Sequence, residues 1–284
     1  MTAVGRIGVQ GFSLRFGLGR QVVEAVSGVS LHVEPGEFVS IIGPSGCGKS
    51  TLLNAVAGFL TPTEGRVTLD GASIRGPGAD RGMVFQQYSL FPWKTVRQNV
   101  EFGLKMKGVS LHERQRAART LLGLAGLSPF ENQYPDALSG GMKQRVGIVR
   151  PLAPGPKVLL LDEPFGALDA QTRSIMQQVL TNMWQQLRIS VLFVTHDIDE
   201  AIFLSDRIYV MTARPGTIKA EIAVPLERPR RAETTALPAF LALRQQLGAL
   251  VREESIKAMG GEVSADAMRG LGLDLHAHGA ERML

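Results

Sequence analysis

The sequence predicts an α/β protein built on a largely parallel β-sheet. Short β-branched runs recur along the chain, and turn residues follow each of them. Several of these runs are continuously apolar, as strands buried on both faces of a sheet are. Between residues 158 and 195 a strand, a helix and a second strand alternate, which is the order that a parallel sheet requires.

The predicted strands cover residues 38–42, 67–69, 83–85, 158–161, 191–195 and 208–211. A helix is predicted between the fourth and fifth strands, because apolar residues recur there at helical spacing. They are Ile175, Met176, Val179, Leu180, Met183, Trp184 and Leu187.

The stretch from about residue 88 to residue 150 interrupts the alternation. It has no β-branched run, carries polar helix formers at 113–119, and shows apolar Leu121, Leu122 and Leu124. We therefore predict that it is an inserted helical subdomain.

Beyond residue 211 the chain becomes rich in proline and arginine, which predicts a β-edge or an extended linker. A further helix is predicted behind it, with Phe240, Leu243, Leu247 and Val251 on one face. From about residue 260 the chain is Gly/Ala-rich, and we expect it to be mobile or loosely packed. The predicted organisation is a core at 1–87 and 152–224, a helical subdomain at 88–151 and a partly helical C-terminal extension at 225–284.

Composition excludes several classes of protein. The 284 residues are 44% hydrophobic and 20% charged, which is ordinary for a globular protein and unlike collagenous, disordered or disulfide-rich chains. The net charge of +5 is not gathered into the basic stripe of a nucleic-acid binder, so no nucleic-acid partner is expected. The single cysteine, Cys47, forbids an intrachain disulfide.

No apolar run approaches the ~18 residues that span a bilayer. The first residues, MTAVGRIGVQ, lack the basic and apolar regions of a signal peptide. We therefore expect the chain to stay in the compartment where it is made.

A phosphate-binding loop is predicted directly after the first strand of the core. The sequence there matches G-x-x-x-x-G-K-[ST] in the strand-to-helix context that this pattern requires. Its glycines let successive N–H groups point inward, and the helix that follows adds its positive N-terminal end. Lys49 would reach the β- and γ-phosphates, and the Ser50 hydroxyl would ligate Mg²⁺. The loop consists of Gly43, Pro44, Ser45, Gly46, Cys47, Gly48, Lys49, Ser50 and Thr51.

Two adjacent carboxylates end the buried strand at 158–161. The carboxyl ends of parallel strands face the crevice in which α/β proteins bind their ligands. Asp162 is the candidate for holding Mg²⁺ through water, and Glu163 is the candidate general base for the attacking water.

A third motif carries a family resemblance. The stretch LSGGMKQR at 138–145 resembles the signature of ATP-binding-cassette (ABC) ATPases, and it precedes the acidic strand as it does in that family. Ser139 has the properties of a helix N-cap, so that N–H groups at Gly140 and Gly141 could approach an ATP molecule. The resemblance implies that this ATP is bound by a partner cassette, either a second copy of this chain or a homologous cassette, because two cassettes pack head to tail around two ATP molecules.

The resemblance assigns four further residues. Phe16 in LRFGLG resembles the aromatic residue that stacks on adenine. Gln86 in MVFQQ resembles the glutamine that senses Mg²⁺ and the attacking water. Asp169 in FGALD resembles the loop that crosses the dimer interface, and His196 in VTHD resembles the histidine that contacts the γ-phosphate.

The implied architecture is a P-loop NTPase of the cassette type, with an antiparallel β subdomain beside the mostly parallel core. Finer phrases are similar to the branch that imports nitrate, aliphatic sulfonates or taurine: SLFPWKTVRQNVEFGL, PFGALDAQTR, FVTHDIDEAIFLSDRIYVMTARPGTI and VPLERPRR. That branch implies separate membrane permease subunits, an extracytoplasmic solute-binding protein, and a place on the cytoplasmic face of the inner membrane. The surface around 86–93, where Tyr88, Phe91 and Trp93 cluster, is the expected permease contact, although packing within the helical subdomain would also explain these aromatics.

One departure stands in the signature helix, where the family's Ala-Arg-Ala-Leu phrase is replaced by VRPL at 149–152. Pro151 has no N–H and its ring clashes with the preceding turn, so we predict that the helix ends early or bends there.

Two other functions remain open. A cassette could power a soluble task such as DNA repair or work on the ribosome, but the interval from Ser50 to Ser139 lacks a sustained heptad and the phosphate loop occurs once. A non-catalytic nucleotide sensor is the second alternative, and Glu163 argues against it because a sensor has no need of a general base.

Overall fold

The structure is a computed structural model and describes residues 4–18, 21–87 and 89–259. The strands are β1 (Ile7–Leu18), β2 (Gln21–Val33), β3 (Phe38–Ile42), β4 (Glu64–Leu69), β5 (Ala72–Ser73), β6 (Arg81–Val84), β7 (Val158–Asp162), β8 (Ser190–Val194), β9 (Arg207–Met211) and β10 (Ile218–Ala223). The α-helices are α1 (Lys49–Ala57), α2 (Val96–Met106), α3 (Leu111–Leu124), α4 (Gly140–Val149), α5 (Ala170–Leu187), α6 (Ile198–Leu204) and α7 (Pro238–Ala258). Short 3₁₀ helices cover Ser128–Phe130, Pro135–Ala137, Arg150–Leu152 and Ala232–Ala236.

The central sheet has the strand order β10-β9-β3-β8-β7-β6. All neighbours are parallel except β10, which pairs antiparallel with β9 at the edge. Residues of one strand alternate between two cores: Phe38 and Ile42 of β3 join one apolar cluster, whereas Val39 and Ile41 join the other. Burial on both faces explains the continuously apolar runs, and the predicted mostly parallel core is confirmed.

A second sheet, with the order β2-β1-β4-β5, is antiparallel. This confirms the antiparallel subdomain that the family resemblance implies, and the predicted run at 67–69 lies in it as part of β4. The sequence pattern did not reveal β1 and β2. The pairing of these two strands shifts register near Phe12 and Leu14, which breaks the simple alternation that predicts a strand.

Helix α1 lies between the two sheets. Leu52, Leu53 and Val56 are fully buried there and join the cluster that also contains the inner face of the antiparallel sheet. This packing fixes the start of α1, and with it the loop that precedes the helix.

The chain between β6 and β7 forms α2, α3 and α4, as expected for an inserted helical subdomain. Helix α4 ends at Val149, and Pro151 lies in the 3₁₀ turn that follows. The predicted early end of the signature helix is therefore confirmed. The exact bounds at 88 and 151 stay a prediction.

The C-terminal part returns to the central sheet. The predicted β-edge is β10, and the predicted helix is α7, which buries Phe240, Leu243 and Leu247. The segment expected to be mobile from about residue 260 lies outside the described residues. Among the helices that the structure describes, none combines the length and apolar character needed to cross a bilayer.

Candidate functional site

The carboxyl ends of β3, β7 and β8 meet at one edge of the central sheet. They carry the loop that begins at Gly43, the acidic pair that ends β7, and the loop that contains His196. A cavity of about 200 Å³ opens at this edge. It is lined by Ser45, Gly46, Gly48, Lys49, Ser50, Thr51, Glu163 and Arg214.

The loop between β3 and α1 has the shape of a phosphate cradle. Gly46 and Gly48 adopt φ angles of 74° and 104°, which side-chain-bearing residues rarely adopt. A Cβ atom at Gly48 would also lie 2.5 Å from the side chain of Val26. Since Gly48 provides no side-chain cap for α1, the N–H groups of the first turn stay available to an anion.

Lys49 holds a buried positive charge beneath this loop. Its Nζ donates to the carbonyl oxygens of Gly43 and Pro44, both at 2.9 Å. Burial raises the pKa of the neighbouring Cys47 thiol, which lies under the loop. Cys47 therefore offers its backbone to the site, whereas Lys49 offers a buried positive charge whose nearest hydrogen-bond partners are two carbonyl oxygens.

Ser50 lines the cavity and is hydrogen-bonded to Asp162, which is not among the lining residues. The Ser50 hydroxyl donates to Asp162 Oδ1 at 2.8 Å. Burial raises the pKa of Asp162, and the Ser50 hydrogen bond opposes that rise. A hydroxyl beside a carboxylate is the donor set that Mg²⁺ prefers, so these two residues fit the predicted ion. Gln86 lies in the exposed loop after β6 and is not among the described residues that line the cavity.

Glu163 sits in a strained backbone conformation with φ 43°. Its N–H donates to the carbonyl of Val194 at 2.9 Å, which fixes this backbone against β8. The carboxylate Oε2 lies 3.1 Å from Nδ1 of His196. The structure thus brings together the two residues that the sequence predicted separately as base and γ-phosphate contact.

Arg173 forms hydrogen bonds with two of the predicted site loops. This residue was not identified from the sequence. From α5 its guanidinium donates to the carbonyl of Leu168 at 3.0 Å and to the carboxylate of Asp197 at 3.2 Å. Leu168 precedes Asp169, and Asp197 follows His196. An arginine within an amphipathic helix gives no sequence signal for such a bridge.

Ser139 is the N-cap of α4, as predicted, and its Oγ accepts a hydrogen bond from the N–H of Met142 at 3.4 Å. Ser139 and Gly140 are exposed and lie outside the residues that line the cavity. Gly141 packs closely on α5, because a Cβ atom there would lie 2.7 Å from Thr172 Cγ2. The structure does not bring these signature residues to the phosphate loop of their own chain.

Asp169 is the N-cap of α5 and accepts the N–H of Thr172 at 2.9 Å, and this backbone hydrogen bond lowers the pKa of Asp169. Phe16 lies on β1 opposite Val23 and is 40% exposed. Neither Asp169 nor Phe16 is among the residues lining the cavity. Their assigned roles, on a partner's interface and on adenine, stay predictions.

Comparisons with known proteins agree with this geometry. The ABC transporter family model matches residues 26–166. The nitrate import ATP-binding protein NrtD of Synechocystis sp. is 52% identical over 239 residues, which cover 82% of this chain and 90% of the relative. The taurine import ATP-binding protein TauB of Rhizobium johnstonii is 49% identical over 246 residues, covering 84% and 92%.

One solved structure with a similar fold is the dimeric, post-hydrolysis state of the ATP-binding cassette MJ0796 bound to ADP and Pi. It superposes with a TM-score of 0.69 at 35% identity, covering 78% of this chain and all of that one. The chain described here therefore belongs to the ABC transporter family. Within that family it is an ATP-binding cassette and an ATPase.

Proposed function

We propose that this chain is the ATP-hydrolysing subunit of an importer that takes up a small anion or sulfonate, of the nitrate or taurine kind, through separate membrane permeases. The observation that carries the ATPase part is the convergence of Lys49, Ser50 and Glu163 at one cavity, with His196 3.1 Å from the Glu163 carboxylate. Two relatives that are 52% and 49% identical over the aligned 82% and 84% of this chain are named as nitrate and taurine import proteins, which supports the transport part.

ATP binding is assigned to the phosphate loop. The free N–H groups of the loop and of the first turn of α1 bind phosphate oxygens, and Lys49 exchanges its carbonyl partners for the β- and γ-phosphates. Ser50 and Asp162 would hold Mg²⁺, with Gln86 joining them from its loop. When bound, the ion neutralises charge that develops on the phosphates.

Hydrolysis of the β–γ bond is assigned to Glu163 and His196. The Glu163 carboxylate takes a proton from the water that attacks the γ-phosphorus, and ADP and phosphate leave. His196 contacts the γ-phosphate and, through the 3.1 Å contact, keeps the carboxylate in place. The strained backbone at Glu163 supports this role, since such conformations cluster at functional sites.

A second copy is proposed to close the site. Phe16 stacks on the adenine of its own chain, while Ser139, Gly140 and Gly141 of the other copy cover the exposed phosphate face. Two features support this arrangement: Ser139 and Gly140 are exposed and lie outside the residues lining their own cavity, and the similar MJ0796 cassette is dimeric. Asp169 lies on the loop that would cross between the copies.

The permease contact is proposed at the junction of the core and the helical subdomain. Trp93 is 70% exposed, whereas Phe91 is half-buried against Phe102 and Arg150. Trp93 is therefore the better anchor of the two, and Tyr88 lies outside the described residues. Phe85 adds a second exposed ring nearby, at the rim of a cavity of about 220 Å³. Docking there would hold the chain on the cytoplasmic face of the membrane, with the solute-binding protein on the other side.

No observation favours a soluble task, because the named relatives are import proteins. A nucleotide sensor is disfavoured by the Glu163–His196 contact, which nucleotide binding alone does not require.

Transport is tested in a strain that lacks this chain. The wild-type gene, Glu163→Gln and the control Glu253→Gln are reintroduced, and uptake of labelled nitrate and taurine is measured. Wild type and Glu253→Gln are expected to restore uptake of one solute, while Glu163→Gln restores none. Equal uptake of every tested anion and sulfonate with and without the wild-type gene would contradict the proposal.

A further inference from the structure

Residues 212–217, called the bridging loop below, connect β9 to β10 and lie against the phosphate loop. Arg214 Nε donates to the carbonyl oxygen of Gly46 at 3.2 Å. Gly216 packs so closely that a Cβ atom there would overlap the carbonyl oxygen of Cys47. The backbone of Gly216 is itself fixed to β2, through hydrogen bonds to Ala25 and Ser27 at 3.0 Å each. The bridging loop therefore contacts the phosphate loop at Gly46 and Cys47 while it is itself held by β2.

The C-terminal helix anchors the other end of the bridging loop. Glu254 of α7 is 2% exposed, and its Oε2 accepts the N–H of Ala213 at 3.0 Å. Lys219 and Lys257 pair with the same carboxylate at 2.7 and 2.9 Å. Burial opposes ionisation of Glu254, but the hydrogen bonds from Lys219, Lys257 and the Ala213 N–H prevail and lower its pKa to about 2. The anchor is thus an ionised carboxylate at every physiological pH.

Arg214 is one of the residues that line the phosphate cavity, together with Lys49, Ser50 and Glu163. A guanidinium carries five N–H donors in a planar fork. Within the described residues, Arg214 spends one of them on Gly46, so its terminal NH₂ groups are available at the cavity. The side chain is exposed, as a residue that meets an incoming ligand must be.

We propose that Arg214 is a further phosphate-binding residue of this cavity and that Glu254 of the C-terminal helix positions it through the bridging loop. The proposal rests on the nucleotide site proposed above. A guanidinium at the rim adds a second positive charge and a planar fork that match a phosphate group. Helix α7, which lies far along the chain from the phosphate loop, then sets nucleotide affinity.

The Arg214 part is tested by equilibrium titration of the purified full chain with ATP and with ADP, in Mg²⁺. Arg214→Ala is expected to weaken both affinities about tenfold, as loss of a charge-assisted hydrogen bond does. Arg214→Lys keeps the positive charge without the planar guanidinium, and its ATP affinity is expected to lie between those of Arg214→Ala and wild type. Arg252→Ala removes an equal charge from an exposed site on α7 and is expected to bind as wild type does.

The salt dependence of ATP affinity distinguishes a direct contact between Arg214 and phosphate from a purely structural role of Arg214. If Arg214 meets phosphate, the affinity of Arg214→Ala falls less steeply with salt concentration than that of wild type, because one ion pair is missing. The proposal is overturned if Arg214→Ala binds ATP within twofold of wild type, or if its affinity is lower with an unchanged salt dependence. Lys49→Ala tests the nucleotide site itself. If this variant binds ATP as wild type does, the nucleotide site is misplaced.

The Glu254 part has a control in the adjacent residue. Glu253 also pairs with Lys219 and Lys257, at 2.6 and 2.8 Å, but the Ala213 N–H is bonded to Glu254. Glu254→Ala is therefore expected to weaken ATP binding several-fold, whereas Glu253→Ala leaves it unchanged. The double variant Arg214→Ala/Glu254→Ala is expected to bind no more weakly than Arg214→Ala alone, because both changes act through one contact.

If the losses of ATP affinity from Arg214→Ala and Glu254→Ala add up in the double variant, the positioning role of Glu254 is overturned. If Glu254→Ala does not fold, the coupling is tested by hydrogen exchange of the wild-type chain, measured with and without ATP. ATP is expected to slow exchange in residues 212–217 and in residues 250–258, and unchanged exchange in both segments would count against the coupling.

Discussion

Two neighbouring acids at the end of β7 differ in what surrounds them. Asp162 is partly buried against the Ser50 hydroxyl, whereas Glu163 turns back through a left-handed backbone conformation to meet His196. In the proposed mechanism, Asp162 holds a cation and Glu163 takes a proton. Both residues come at the end of the same strand. The difference in their surroundings therefore arises from the backbone, because Glu163 has a positive φ angle and Asp162 does not.

Glu163→Gln is expected to lower ATP turnover by about 10²- to 10⁴-fold, since the amide cannot accept the proton of the attacking water. ATP affinity stays near that of wild type, because the phosphate loop is unchanged. Steady-state phosphate release and equilibrium ATP titration measure the two quantities. Glu253→Gln, an exposed change of the same chemistry on α7, serves as the control. Turnover within a few-fold of wild type would remove Glu163 from the role of base.

Asp162→Asn is expected to stabilise the nucleotide-free chain at neutral pH while abolishing Mg²⁺-dependent ATP binding. Burial raises the pKa of Asp162, so the folded state carries a penalty at every pH where this acid is ionised. Removing the charge removes the penalty, and we expect a higher melting temperature at pH 7.

The size of this gain depends on pH. For an acid whose pKa rises on folding, the penalty is complete above the folded pKa and vanishes below the unfolded value of about 3.9. The gain from Asp162→Asn must therefore shrink as the pH falls toward 4. A gain that grows on acidification would show that Asp162 is stabilised in its ionised form.

At the scale of elements, Arg230 fastens the end of α6 to the segment that follows β10. Only 1% of this residue is exposed. Its guanidinium donates to carbonyl oxygens of Ile202, Phe203, Ser205, Val224 and Leu226. Burial lowers the pKa of Arg230 to about 10, so it stays charged and serves as the C-terminal partner of the helix α6 carbonyls.

Arg230→Ala is expected to lower the free energy of unfolding by about 3 kcal/mol or more, because it leaves several buried carbonyl groups without a donor. Urea unfolding of the full chain measures this. The adjacent Arg231 is exposed, and Arg231→Ala is expected to change stability by no more than about 0.5 kcal/mol. Equal losses from the two variants would mean that the buried hydrogen bonds add nothing.

At the scale of the whole molecule, the proposed site is divided between two surfaces of one chain. The phosphate cavity lies at the edge of the central sheet, and the N-terminus of α4 lies on a separate exposed surface of the helical subdomain. A head-to-tail pair of copies would bring one surface against the other twice. ATP would then lie between the two copies and form part of their interface, so pairing would depend on nucleotide.

Glu163→Gln is expected to elute as a dimer in MgATP, and adding Ser139→Arg is expected to return it to a monomer whose ATP affinity is unchanged. The long side chain at Ser139 fills the space that the partner's phosphate groups would occupy and removes the capping hydroxyl, without touching the phosphate loop of its own chain. Gel filtration with light scattering measures the mass. Ser110 is a matched control, since it is also an exposed helical N-cap whose hydroxyl accepts a backbone N–H at 3.4 Å. Ser110→Arg should leave the dimer intact, and a dimer that survives Ser139→Arg equally well would refute the shared site.

Local patterns in the sequence were sufficient for the parallel core, the phosphate loop and the acidic pair. The loop from Gly43 to Thr51 and the pair Asp162 and Glu163 are each contained in a few consecutive residues, and each follows a strand whose apolar run is visible directly. Parallel strands then place their carboxyl ends at one edge without further information. The early end of α4 was predictable for the same reason, because Pro151 acts on its own turn.

Tertiary structure alone decided which distant residues serve that site. Arg214 reaches Gly46 across 168 positions of the chain, and Glu254 reaches Ala213 across 41. Arg230, from a segment that looks simply basic, becomes one of the most deeply buried side chains. Such contacts depend on how sheets and helices pack, and a side chain's local sequence carries no record of the surface that will cover it.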